Sequence, residues 1–217
     1  PFMKATPVST LKSDALDNLL SGIPFYKDLM FNDPDQMKVL LKHSQLFEPE
    51  PGEVVIEKGA RDNTFYFLLS GQLAVYPDGK YEPRKKKEAL SYLSAGQILG
   101  ALALLCNAPR TATLVADPKS GRVQLFGADF TPFGALTDFS QISLSTKLVL
   151  WRMVMNNTKW KLGVYKMQNP DHPLSVAMQG VETFSGEKGS VDELQSLDRQ
   201  IHQLTDLMQK WNEALAG

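Results

Sequence analysis

Of the 217 residues only one is cysteine, Cys106, so no internal disulfide can staple the chain. A single thiol fits a reducing, cytoplasmic setting. No run of about 18 apolar residues is present, which argues against a membrane-spanning helix. The first residues lack a basic segment followed by an apolar stretch, so no secretory signal is expected there. Neither charge dominates: 23 Lys and Arg stand against 24 Asp and Glu, a net charge of -1. A broad electrostatic footprint for nucleic acid is therefore not expected. His43, His172 and His202 are far apart and lack ligand spacing, so no metal site is expected. A Walker loop, a nucleophile elbow and an acid–base dyad are also missing. The expectation is a protein that is not an enzyme, with no catalytic residue and no cofactor.

What remains is an ordinary globular composition, 43% hydrophobic and 22% charged. The length allows one buried domain of about 100 to 150 residues with appended helices. Residues 9 to 46 have the spacing of short helices, the second from about Asp33 to His43 with Met37, Leu40 and Leu41 on one face. From Pro51 the pattern changes to short strands broken by Gly, Pro and Asp. Glu53–Ile56, Thr64–Leu69 and Gln72–Tyr76 come first, followed by Ala89–Leu93, Ala112–Ala116 and Arg122–Phe126. Many short strands without regular intervening helices point to a roll, sandwich or barrel rather than a doubly wound sheet. The run Arg84-Lys85-Lys86-Lys87 after Pro83 is expected in a solvated loop.

Beyond Thr137 the period is helical again, with Leu144, Leu148, Trp151 and Met155 on one stripe. Residues 169–189 carry prolines and glycines with little periodicity and are expected to be a linker. Ser190 and Glu193 then form a capping box. Behind it Leu194, Leu197, Ile201, Leu204, Met208, Trp211 and Leu215 recur three and four apart. That is a heptad seam, and a helix so short must bury it against something. Pairing with another chain, as a homodimer or with a partner protein, is expected ahead of folding back on its own domain.

The chemistry concentrates between Gly96 and Thr113. A glycine opens a turn, a short apolar helix of one to two turns follows, and Pro109-Arg110 precede a strand. Amides at the start of a helix lack partners and favour an anion. Arg110, at the far end of the loop, offers a charge-assisted contact to a phosphate. The alternative is a structural arginine paired with a carboxylate. Residues 100–113 resemble the phosphate-binding cassette of cyclic nucleotide-binding domains, written Gly-Glu-Leu-Ala-Leu followed by Pro-Arg-(Ala/Ser/Thr)-Ala. The resemblance extends to Ile23-Pro24-Phe25, Pro51–Ile56 and Tyr66–Gly71, and it covers roughly residues 20 to 155.

The resemblance implies an α+β, mainly β fold, an eight-stranded β-roll flanked by helices. With the periodicity above, this divides the chain into N-terminal helices over 1–46, the roll over 47–136 with its cassette at 99–113, and a long helix over 137–168. The linker at 169–189 and a coiled-coil-like helix at 190–217 complete the chain. The implied ligand is cyclic AMP or cyclic GMP, bound by Gly100, Ala101, Leu102, Ala103, Arg110, Thr111 and Ala112. Trp151 is the implied lid over the base, and a threonine at position 111 accompanies cyclic GMP preference in some members. No recognition helix follows the roll, so direct DNA binding is not expected. One departure stands out: the family glutamate that accepts from the ribose 2′-hydroxyl is Ala101 here. An unpaired buried hydroxyl costs roughly 1 to 3 kcal/mol. Two functions follow, a cyclic-nucleotide sensor of altered affinity or a degenerate scaffold acting as an adaptor through its terminal helix. An Arg110 neutralised by an acid, together with a cavity filled by apolar atoms, would leave only the second.

Overall fold

A computed structural model of the chain describes residues 3–85 and 88–216. Lys86 and Lys87 of the basic run and Gly217 of the expected terminal helix lie outside the described residues; Arg84 and Lys85 are exposed, with Lys85 paired to Glu82 at 2.9 Å. The chain begins with strand β1 (Lys4–Pro7), then helices α1 (Ser13–Ser21), α2 (Pro24–Asn32) and α3 (Pro34–Leu41). Strands β2 (Gln45–Glu48), β3 (Val54–Ile56), β4 (Thr64–Ser70), β5 (Gln72–Tyr76), β6 (Ser91–Ser94) and β7 (Ile98–Leu99) follow. Helix α4 (Ala101–Leu105) leads to β8 (Thr113–Ala116) and β9 (Gln124–Asp129), and the chain closes with α5 (Leu144–Gln168) and α6 (Val191–Ala216).

The strands pair antiparallel in two sheets, β1-β2-β9-β4-β7 and β3-β8-β5-β6, which together make a β-roll. Side chains alternate across a strand, and β4 shows what that does here. Phe65 and Phe67 face the helices and pack with Phe25, Tyr26, Phe126, Phe133 and Trp151, whereas Tyr66 and Leu68 face the roll interior with Ile56, Leu73, Leu99 and Leu125. A strand covered on both faces needs no polar side, which is why its sequence is a continuous apolar run. The ring of Phe25 stacks on Phe67 at 6.0 Å, and Tyr26 meets Phe126 edge-on at 5.0 Å. These contacts fix α2 against the sheet.

Three expectations need correction. The N-terminal 46 residues are not helical throughout, because β1 joins the sheet by pairing with β2. Four residues ending in proline give almost no strand signal, although proline is tolerated at a sheet edge. Residues 169–189 are no loose linker either. A 3-10 segment, Pro173–Gly180, lies in the cluster of Leu162, Leu204 and Trp211, and His172 rests on Trp211 at 4.8 Å.

The third correction concerns the heptad seam. Leu194, Leu197 and Ile201 enter the main core, and Leu204, Met208 and Trp211 pack with Leu162 of α5, each at most 8% exposed. The seam is therefore spent within the chain rather than offered to a second one. Arg152 meets Glu193, Trp151 meets Asp198 and Tyr165 meets Asn212, so α5 and α6 run parallel. Parallel neighbours need a crossover as long as the helix itself, and the segment between them supplies it. It returns along α6, with Glu182 accepting from Ser196 at 2.8 Å and from Arg199.

Candidate functional site

Gly100 sets the shape of the cassette. Its φ of +79 is left-handed, and it precedes α4 directly. A Cβ there would lie 2.9 Å from Arg110 Nη1 and 3.2 Å from Ile56 Cδ1, so the glycine is required twice over, for conformation and for space. Helix α4 ends at Leu105, and two residues on Asn107, with a φ of +48, turns the chain back towards β8. Asparagine tolerates that region better than most side chains. The return loop is tied to the β3–β4 connection, since Arg110 N donates to Ala60 O at 3.0 Å and Gly59 N to Arg110 O at 2.8 Å.

Arg110 is 3% exposed. Its Nη2 donates to Asp62 Oδ1 at 2.6 Å and to Thr64 O, its Nε to Asp62 Oδ2 at 3.4 Å, and its Nη1 to Gly100 O. A guanidinium carries five N–H donors, so one on Nη1 is left. Asp62 is 47% exposed and its charge is partly solvated, which lowers the cost of loosening the pair. The structural reading of Arg110 as an ion-paired arginine is thus found. The other half of that reading is not, because the space above it is open.

That space is a cavity of about 480 Å³, of a size usual for small-molecule sites. Gly100, Ala101, Leu102, Ala103, Arg110, Thr111 and Ala112 all line it. The first-turn amides of α4 have no intrahelical acceptor. Arg110 and Lys161 are the charged residues among the described lining, and no carboxylate faces the cavity. The cavity therefore favours an anion or an acceptor-rich ligand.

Trp151 is not part of it. Its indole is 3% exposed among Phe130 and Phe133, and its Nε1 donates to Asp198 Oδ1 at 3.1 Å. The expected lid is a core residue. Helix α5 does cover the cavity, but with Val154, Asn157, Thr158, Trp160, Lys161 and Tyr165, and α6 adds Met208 and Asn212. Trp160 is 62% exposed at this wall. These residues were missed because α5 is sandwiched between the roll and α6. Two faces of the helix are buried, and the more apolar stripe is the one turned away from the cavity. The signal that would have found the other face is Asn157, Lys161 and Tyr165, polar groups four apart. Asp62 was missed too, its only mark being its place in an inter-strand turn. Among the described residues no group of His, Cys, Asp and Glu is placed to hold a metal. No described helix is long and apolar enough to cross a membrane.

The family model for the cyclic nucleotide-binding domain matches residues 47–133. The cAMP-dependent protein kinase regulatory subunit of Hypocrea atroviridis is 32% identical over 100 residues, which cover 46% of this chain and 19% of that protein. The subunit of the same name from Mycosarcoma maydis is 38% identical over 100 residues, 46% of this chain and 18% of its own. The chain thus spans about a fifth of the length of these relatives. Among solved structures, that of cAMP-bound PfPKA-R is 24% identical, covering 67% of this chain and 45% of its own with a TM-score of 0.48. Fold, cassette and family match agree: residues 47–133 of this chain belong to the cyclic nucleotide-binding domain family.

Proposed function

We propose that the chain is a non-enzymatic sensor that binds a cyclic nucleotide, cyclic AMP or cyclic GMP, in the cavity above Arg110. The observation that carries this is a buried arginine under an open cavity of about 480 Å³ that has no carboxylate in its described lining. The cyclic phosphate sits on the free N–H of Arg110 Nη1 and the first-turn amides of α4, with Thr111 and Ala112 beside it. Trp160, exposed on the α5 wall, takes the covering role expected of Trp151. Stacking of a base on an aromatic ring is worth about 1 to 3 kcal/mol. Affinity is modest for two reasons: Ala101 offers no acceptor to a ribose hydroxyl, and most of the Arg110 donors already have protein partners.

Because α5 and α6 both line the cavity, a ligand that prefers one placement of these helices shifts their equilibrium by its difference in affinity. The output is carried to a partner protein by that helix pair. The relatives named as kinase regulatory subunits make a protein kinase the first partner to test. Calorimetry with cyclic AMP and cyclic GMP on wild type and Arg110→Ala tests the site. Heat with wild type that disappears in the variant supports it, and heat unchanged by the substitution contradicts it. A second reading, a ligand-independent adaptor, is favoured by the satisfaction of Arg110 by Asp62, Gly100 and Thr64 without any ligand. Absence of heat with the wild-type chain selects it.

A further inference from the structure

Lys161 is the cation in the cavity that the site described so far does not use. It lines the cavity from α5, half-buried, and it has no hydrogen bond or ion pair among the described residues. Its position along α5 is fixed by its neighbours one turn away on either side. Asn157 donates to Ile98 O at 3.4 Å, next to the cassette, and Tyr165 donates to Asn212 Oδ1 at 3.4 Å on α6. Four residues advance a helix by about 6 Å, so Lys161 stands between the Ile98 contact of Asn157 and Ser91 of β6, which the Tyr165 side chain meets. Burial pushes its ammonium below the usual lysine range, and no neighbouring charge contributes. The cation is therefore separate from the Arg110–Asp62 pair.

An ammonium has three donors and no acceptor. Holding it partly out of water without a partner is unfavourable, and a ligand acceptor offsets that cost. With the cyclic phosphate at Arg110, a base that extends along the α5 wall towards β6 passes Lys161. Guanine presents two adjacent acceptors on one edge, O6 and N7, whereas adenine presents N7 beside the N6 amino donor. Resting on the reading of this cavity as a cyclic-nucleotide site, we propose that Lys161 is a specificity-determining residue that contacts the base and selects guanine over adenine. The same contact accepts hypoxanthine, which shares O6 and N7.

The test is calorimetry on the full chain and on Lys161→Met, which keeps the apolar stem and removes the charge. Cyclic GMP, cyclic IMP and cyclic AMP are titrated in turn, with circular dichroism to establish folding. Wild type is expected to bind the GMP and IMP forms about tenfold more tightly than the AMP form, and Lys161→Met to weaken those two by about tenfold while leaving cyclic AMP within about twofold. An equal loss for all three ligands, or no change for any, overturns the assignment. If Arg110→Ala abolishes binding while Lys161→Met leaves the ratios intact, the site stands and the role of Lys161 falls. No heat from any of the three with wild type removes both.

Discussion

Cys106 Sγ lies 3.3 Å from Thr205 Oγ1, joining the end of the cassette helix to α6 across 99 positions of sequence. Thr205 gives its only proton to Ile201 O at 2.7 Å, so the thiol is the donor in this contact. Helix α6, which lies outside the matched region 47–133, is thereby bonded to the element that would hold the phosphate.

The thiol should consequently be slow to react. Burial pushes its pKa up first, and the nearby charges of Asp198 and Asp206 push it the same way. The thiolate is the nucleophile. Labelling with an aromatic disulfide reagent at pH 8 is expected to be at least about tenfold slower in the native chain than in urea. Equal rates would mean that α6 does not cover the cassette.

The seam of α6 makes a second prediction. Leu204 is 0% exposed and packs with Leu162 and Trp211. Leu204→Ala is expected to lower stability by about 2 to 5 kcal/mol. In urea unfolding the midpoint should not depend on protein concentration, because the contact is intramolecular. A midpoint that rises with concentration would return the seam to an interface between chains.

The seam also shows where sequence and structure part. Spacing of three and four states that a face is buried and is silent on what buries it. The partner is α5, which reaches α6 only through a crossover whose prolines and glycines hide its packing. The shape of the loop from Gly100 to Ala112 was legible, because local backbone geometry imposes its own residues: a left-handed glycine, a short apolar helix and an arginine at the return. The cavity wall was not, since Lys161, Trp160 and Asn212 come from helices whose register against the roll is set by tertiary packing. Trp151 was misplaced for the same reason. A large aromatic on a helical stripe marks burial, and here the burial is among Phe130 and Phe133.

Glu193 gives a pH dependence. Its carboxylate takes Arg152 Nε at 2.9 Å, Arg152 Nη2, and the amide of Gly189 at 2.8 Å. The hydrogen bond from Arg152 is the first cause that holds its pKa below the ordinary glutamate value. A depressed acid stabilises the fold fully above its unfolded pKa, about 4.3 for glutamate, and loses that contribution as pH falls through the lower folded value. Glu193→Gln is expected to be less stable than wild type by about 2 kcal/mol at pH 7. The difference should shrink as pH falls below about 4.3, where the unfolded chain takes up the proton first, and close once pH passes the lower folded value. Urea midpoints measured from pH 7 to 3 decide this. A gap that persists undiminished at pH 3 would assign the effect to packing rather than to the ion pair.

Ala101 offers the sharpest chemical test of the ligand. It is 3% exposed, opens α4 and lines the cavity, so a longer side chain placed there can reach into open space. With no acceptor at this position, a ribose 2′-hydroxyl gains little from the protein, and removing it should cost little. Wild type is expected to bind a cyclic nucleotide and its 2′-deoxy analogue within about threefold of each other. Ala101→Glu supplies the carboxylate and is expected to prefer the ribose form by about tenfold, the value of one buried hydroxyl finding a charged acceptor. Competition binding with the two analogues on both chains reads the ratio directly, free of errors in active concentration. A wild-type chain that already discriminates tenfold would show that another group, Asn157 or Thr158 on the α5 wall, accepts the hydroxyl in place of the missing glutamate.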